Sequence, residues 1–242
     1  MFMLSFEYGN QLEASFGHVV AGVDEVGRGP LAGPVVACAA AVLDQRTFLE
    51  NFSDINDSKM LSKKRREQLN EMLKKSDCVR FAIESASPEE IDAQNIRNAT
   101  FLAMTRALAR LDVLLQEENL RLSSYIVDGN ALPTDIHIPS DAPSFLRDQS
   151  FVASGLVPRR VSREPYTWPG RCLVKGDAKS YRIATASILA KVYRDKYMAA
   201  LAPSFPAYGW ERNAGYGTAQ HLGALKVHGP TLHHRKTFAG VL

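Results

Sequence analysis

Short apolar runs and longer amphipathic stretches divide the chain. Residues 18–24 and 35–43 are nearly continuous runs of Val and Ala, the pattern of strands covered on both faces, and they predict a hairpin-like first pair. Residues 51–61 are polar and predict a loop, after which Ser62 stands as N-cap to a helix over 63–75 with Leu69, Met72 and Leu73 on one face. Residues 78–86 alternate and carry β-branched side chains, as a third strand would. Ser87-Pro88-Glu89-Glu90 has the spacing of a capping box with proline at the first helical position. A long helix is predicted over 96–116, apolar on most faces and therefore largely buried. Residues 125–127 read as a short strand ending at Asp128, and 172–174 as another. Residues 178–201 read as a helix whose Ala184, Ala186, Ser187 and Ala190 permit close approach to a neighbour. After a Gly/aromatic loop over 203–217, Thr218 caps a last regular helix to about residue 228. Strand pairs followed by βα alternation predict a mixed sheet with helices on its faces.

Residues 131–170 interrupt this order. They hold six of the twelve prolines, with four acids against four arginines. Proline at this density disfavours regular elements, so the segment reads as an irregular insertion in one domain spanning 1–242. With 45% apolar residues, a chain of 242 can bury a full core. No apolar run is long enough for a transmembrane helix, and the first residues lack the basic and apolar regions of a signal peptide. Cys38, Cys78 and Cys172 are an odd number with no zinc or CxxC spacing, as expected of reduced thiols in a cytoplasmic protein. The net charge of +3 hides an asymmetry: residues 171–242 carry eleven Lys/Arg against three acids, and the rest eighteen against twenty-three. A basic end beside an acid-centred part suits a polyanion held against metal ions.

The densest chemistry lies in residues 19–36, VVAGVDEVGRGPLAGPVV. A strand delivers two neighbouring acids, Asp24 and Glu25, whose side chains point to opposite faces. One must enter the sheet face, where an unpaired carboxylate costs several kcal/mol, roughly, unless it is hydrogen-bonded or meets a cation. Hard oxygen ligands suit Mg²⁺ or Mn²⁺; a turn capped by the two acids is the plainer alternative. Gly27-Arg28-Gly29 then exposes backbone amides beside a guanidinium, an arrangement fit for a sugar or phosphate. Metal-type acids next to bare amides suggest phosphoryl-transfer chemistry. Asp128 and Asp177 also stand at element ends, Asp128 closing a strand and Asp177 directly before a predicted helix, where it equally suits an N-cap. Lys59, Lys175, Lys179, Ser180, Arg182 and Lys191 are candidate phosphate contacts. Arg194 and Asp195 are expected to pair locally, and His234 and Arg235 to anchor the tail or meet phosphate.

The stretch VDEVGRGPLAGPVV resembles the signature of ribonuclease HII. Further blocks similar to that family follow in order: Asp57-Ser58-Lys59, residues 125–130 (YIVDGN), 174–177 (VKGD), 186–192 (ASILAKV), 215–218 (GYGT), and His234-Arg235. The resemblance spans residues 18 to 238. It implies a ribonuclease H-like α/β fold: a central mixed sheet flanked by helices, with a helical C-terminal part, 203–242, closing over the site. It also implies a two-metal Mg²⁺ or Mn²⁺ centre on Asp24, Glu25, Asp128 and Asp177. Gly27, Arg28 and Gly29 would sense a ribose 2′-hydroxyl, and Tyr216 would pack on the following deoxyribose. The implied activity is hydrolysis of the RNA strand of RNA–DNA hybrids and of single ribonucleotides in duplex DNA. Cleavage would fall 5′ of the ribonucleotide and leave 3′-hydroxyl and 5′-phosphate ends. Other readings are a resolvase-like metal nuclease on the same fold, or a catalytically weak hybrid-binding module. The GRG and GYGT blocks favour 2′-hydroxyl sensing over the first, and four retained acids argue against the second. The chain departs from the family pattern at Met60, Asn213 and Ala214, where basic or polar residues are usual, so some DNA-backbone contacts are weakened. A monomer is expected, with the apolar end 237–242 as a conceivable sliding-clamp peptide.

Overall fold

The computed structural model describes residues 4–16, 19–55, 61–133 and 168–242. Five strands form one sheet in the order β3-β2-β1-β4-β5. They are β1 (Val19–Val26), β2 (Val35–Val42), β3 (Val79–Ala86), β4 (Leu122–Asp128) and β5 (Gly170–Leu173). β1 pairs antiparallel with β2, and β2 with β3, while β4 runs parallel to both β1 and β5. The predicted mixed sheet is therefore present, and both faces are covered.

One face is closed by α4 (Pro88–Glu117), whose Phe101, Met104, Leu108, Leu111 and Leu115 pack on Ala21, Val23, Val35, Ala37, Ala39, Tyr125 and Val127. Its start is the expected capping box, in which Ser87 accepts from the Glu90 amide and Glu90 accepts from the Ser87 amide. Asn95 leaves helical geometry at φ 71°, and its Oδ1 accepts from the Asn98 amide at 3.1 Å, so a second helical segment starts at the expected place. The other face carries α2 (Gln45–Phe52), α3 (Lys63–Lys74) and α5 (Tyr181–Leu201) around Val36, Cys38, Ala40 and Val42. The small residues of α5 do allow close approach. A Cβ on Gly22 of β1 would lie 2.2 Å from the Arg182 carbonyl carbon, so only glycine lets α5 cross there.

Several expectations need correction. α1 (Glu7–Phe16) and α2 lie where no helix was expected; α2 is capped by Asp44, which accepts from the Arg46 and Thr47 amides. Met72 is exposed, because the buried face of α3 is Leu69, Asn70 and Leu73. β5 ends at Leu173 rather than at Val174. α5 begins at Tyr181, behind a separate 3₁₀ turn, Gly176–Ala178. The 203–217 stretch holds two 3₁₀ turns and a short helix, α6 (Trp210–Asn213), before α7 (Ala219–His228), which Thr218 caps as expected. These pieces enclose a separate C-terminal core of Leu31, Met198, Tyr208, Trp210, Leu225 and Val241. The three cysteines are free thiols. Among the described residues no helix is long and apolar enough to cross a membrane. Lys59, Met60 and most of the proline-rich stretch, 134–167, lie outside the described residues.

Candidate active site

Strand register assembles the acids. Gly22 aligns with Ile126 and Val23 with Val127. Alternation then points Asp24 and Asp128 to the same face, toward α5, at the C-terminal ends of adjacent parallel strands. Asp24 is buried; it accepts from the Glu25 amide at 2.8 Å and from the Ser187 hydroxyl of α5. Asp128 accepts from the Gly176 amide at 2.6 Å, which draws the Gly176–Ala178 turn, and buried Asp177 within it, to the same corner. Gly176 is tightly seated: a Cβ there would stand 2.5 Å from Ile183. Asp177 does not cap α5, since Ser180 holds the N-cap position. Glu25 is the more open of the pair and meets Arg28 at 3.2 Å.

The carboxylates disturb one another. Burial, then the charges of Glu25 and Asp128, hold the Asp24 carboxyl well above its usual range. Burial also raises Glu25, with Arg28 opposing and Asp128 assisting the rise. Cys38, directly across from Asp24 on β2, has its thiol pushed up by burial and by the Asp24 charge. Hard oxygens crowded to the point of mutual repulsion are a donor set that fits a divalent cation. They do not form a closed cage: among the described residues no three Asp, Glu, His or Cys side chains are gathered into a ready-made metal site.

Beside this corner, two glycine loops are fastened together. The Leu31 amide donates to the Gly215 carbonyl at 2.8 Å, the Gly33 amide to His233 at 2.8 Å, and the Arg235 amide to Leu31 at 2.9 Å. Gly215, at φ 86°, could not carry a Cβ, which would come within 2.5 Å of the Ala32 oxygen. The half-exposed ring of Tyr216 thereby lies against Gly29, whose Cβ, if present, would be 3.6 Å from Tyr216 Cε1.

Two buried arginines hold these loops, and sequence reasoning missed this role. Arg194 Nε, Nη1 and Nη2 donate to the carbonyls of Pro34, Ala214 and Ala32. Arg235 donates likewise to Gly33, Arg28 and Gly27. Gly27 has φ 89°, and a Cβ on it would strike Arg194 Nε at 2.0 Å, so Gly27 serves packing as well as access. The expected Arg194–Asp195 pair is replaced by a Lys191–Asp195 pair at 2.8 Å, because Arg194 turns inward. Arg235 anchors the tail and the loop and meets no solvent.

The other candidates divide. Lys175 is exposed and Lys179 half-buried on the corner. Ser180 is fully buried and cannot reach a phosphate. Arg182 is also removed from that role: it lies under α1, bonded to Glu13, Asn10 and the Phe6 carbonyl. Asn213 and Ala214 shape the turn instead of meeting a backbone: Asn213 accepts from the Gly215 amide at 2.9 Å and donates to the Tyr208 carbonyl at 2.7 Å. The tail folds back: Asp92 binds the Lys236 and Thr237 amides, and Phe238 and Val241 join the C-terminal core. Leu242 stays exposed beside them.

Sheet order and acid corner together define a ribonuclease H-like nuclease. Crystal structures share the fold. That of ribonuclease H2 from Pyrococcus horikoshii OT3 matches with TM-score 0.64 at 25% identity, covering 92% of this chain and 95% of that one. Bst ribonuclease HIII in complex with Mn²⁺ matches with TM-score 0.64 at 19% identity, covering 95% and 70%. The chain belongs to the ribonuclease HII family, whose sequence model matches residues 21–140 and 170–241. It is 47% identical over 234 residues to ribonuclease HII of Paramagnetospirillum magneticum, covering 95% of this chain and 94% of that protein. It is thus a metal-dependent endoribonuclease acting on RNA–DNA hybrids.

Proposed function

We propose that the enzyme also incises duplex DNA at single embedded ribonucleotides, cutting on the 5′ side of the ribose and leaving 3′-hydroxyl and 5′-phosphate ends. The observation that carries this reading is the seating of an exposed aromatic ring, Tyr216, against Gly29. One junction thus offers bare amides for a 2′-hydroxyl and a flat apolar face for the sugar after it. Asp24, Glu25, Asp128 and Asp177 would hold Mg²⁺ or Mn²⁺, which would supply positive charge for activating water and for the leaving 3′-oxygen. The open acid corner suits this, since Mg²⁺ keeps few protein ligands and is completed by phosphate and water. The Asp24 and Asp128 carboxylates are oriented by the Glu25 and Gly176 amides before substrate arrives. Lys175 and Lys179 would meet flanking phosphates, and the C-terminal segment 203–242 forms the wall that carries Tyr216. The work would fall in the cytoplasm, on ribonucleotide-containing DNA, by a monomer.

A 5′-labelled DNA duplex with one ribonucleotide, incubated with and without Mg²⁺ or Mn²⁺, tests this. The expected product is a single metal-dependent cut 5′ of the ribose with a 3′-hydroxyl end. Cleavage only within RNA runs, or on the 3′ side, would overturn it.

A further inference from the structure

Behind the Tyr216 loop two histidines are buried, and the groups around them dictate where each proton sits. His221 of α7 places Nδ1 2.9 Å from the Tyr216 carbonyl, which can only accept, so Nδ1 carries the hydrogen. Its Nε2 is 3.3 Å from Trp210 Nε1, which can only donate, so that nitrogen is bare. His234 Nε2 lies 3.0 Å from the same bare nitrogen and must donate to it. That requires His234 Nδ1 to accept, and it does, from the Thr231 amide at 2.9 Å. Carbonyl, indole and amide, three groups of fixed role, give one consistent tautomer for each ring.

We infer that His221 and His234 form a proton-ordered relay that fixes the Tyr216 carbonyl, and with it the ring against Gly29, making His221 a positioning residue for sugar recognition. The inference rests on the role proposed for Tyr216. The Tyr216 carbonyl also accepts from the Thr218 amide at 2.8 Å, so both its lone pairs are used and the peptide cannot rotate freely. A further proton is poorly placed at either bare nitrogen: on His221 Nε2 it would face two donors, and on His234 Nδ1 it would displace the Thr231 N–H bond and require the Thr231 hydroxyl, 3.0 Å away, to turn and accept. Among the described residues the surroundings supply no counter-charge: the rings of Tyr208 and Trp210 pack on the pair, His233 lies against Trp210, and His228 lies beyond Tyr208. Glu89 acts on His233, and the neighbouring Arg235 is turned to the 27–33 carbonyls. Burial accordingly lowers both histidines, His234 to about 4, with His221 and His233 adding to the fall.

Long-range ¹H–¹⁵N spectra of the labelled protein read the tautomers directly. Nδ1–H for His221 and Nε2–H for His234, both neutral at pH 6, are expected; the opposite tautomer or a protonated ring would overturn the relay. Function is read as the ratio of single-ribonucleotide to hybrid cleavage. His221→Phe should lower that ratio roughly fivefold, as Tyr216→Ala should, with the hybrid rate nearly kept. His221→Asn, whose amide falls near the Nδ1 position, should recover it to within roughly twofold. Equal loss on both substrates in His221→Phe, or no recovery in His221→Asn, contradicts the positioning role. Should Tyr216→Ala leave the ratio unchanged, sugar recognition by Tyr216 fails and the positioning role with it, while the spectra still decide the relay.

Discussion

Two buried charge clusters flank the Asp24–Pro34 stretch, and the fold treats them in opposite ways. At the strand ends, burial with the charges of Glu25 and Asp128 raises Asp24, and burial with the charge of Asp128 raises Glu25, which Arg28 opposes. Behind the glycine loops, Arg194 and Arg235 direct their donors to backbone carbonyls, with no ion pair among the described residues. Burial brings them down to about 10 and about 9, Arg194 also depressing Arg235, so both stay charged at neutral pH. The difference separates scaffold from receptor. Cations saturated by carbonyl dipoles lock two loops and leave positive charge behind the exposed amides. The crowded acids are what the proposed cation would relieve.

The largest expected effect comes from the anionic side. Asp128→Asn should keep the fold and lose at least about a thousandfold in cleavage rate, since charge at the metals is the main catalytic contribution. Near-native cleavage by the folded variant would remove the metal role. On the cationic side, Arg235→Met strands the carbonyls of Gly27, Arg28 and Gly33 and should cost about 3 kcal/mol or more in urea unfolding. Arg235→Lys should recover little, because one ammonium cannot span that fork. A cost under about 1 kcal/mol would deny the clamp. The smallest effect belongs to the ring the clamp supports. Tyr216→Ala should slow single-ribonucleotide cleavage more than hybrid cleavage by about 1 kcal/mol, roughly fivefold, both measured at one salt concentration. Equal losses would make Tyr216 a packing residue.

Much of the anionic side was legible in sequence because strands and caps follow local rules. The apolar runs ending at Asp24 and Asp128 placed the acids at strand ends, and Ser62, Ser87 and Thr218 cap helices as their spacing predicts. The cationic side was not. Arginine reads as surface residue by habit, and nothing local reveals that Arg182, Arg194 and Arg235 bond to groups more than 150 residues away. One signal was present: Arg182 and Arg194 sit on a helix lined with Ala, Ile and Leu, where a lone guanidinium needs dedicated partners. α2 was missed although Asp44 and Thr47 have N-cap spacing. α1 is held largely by partners remote in sequence, among them Arg182, which propensity does not show.

The acid corner is proposed to be held under a repulsion that a cation relieves, and thermal unfolding of Asp24→Asn tests this most directly. The raised pKa of Asp24 means that the native state binds its proton more tightly than the unfolded chain does. That stability is complete below the usual carboxylate range and lost as pH rises through the folded pKa, so ionising Asp24 burdens the fold. In chelator at pH 7.5, Asp24→Asn should therefore melt a few degrees above wild type. Adding Mn²⁺ should raise the wild-type midpoint and narrow the gap. An Asp24→Asn protein no more stable than wild type in chelator, with no Mn²⁺ response in wild type, would contradict the account.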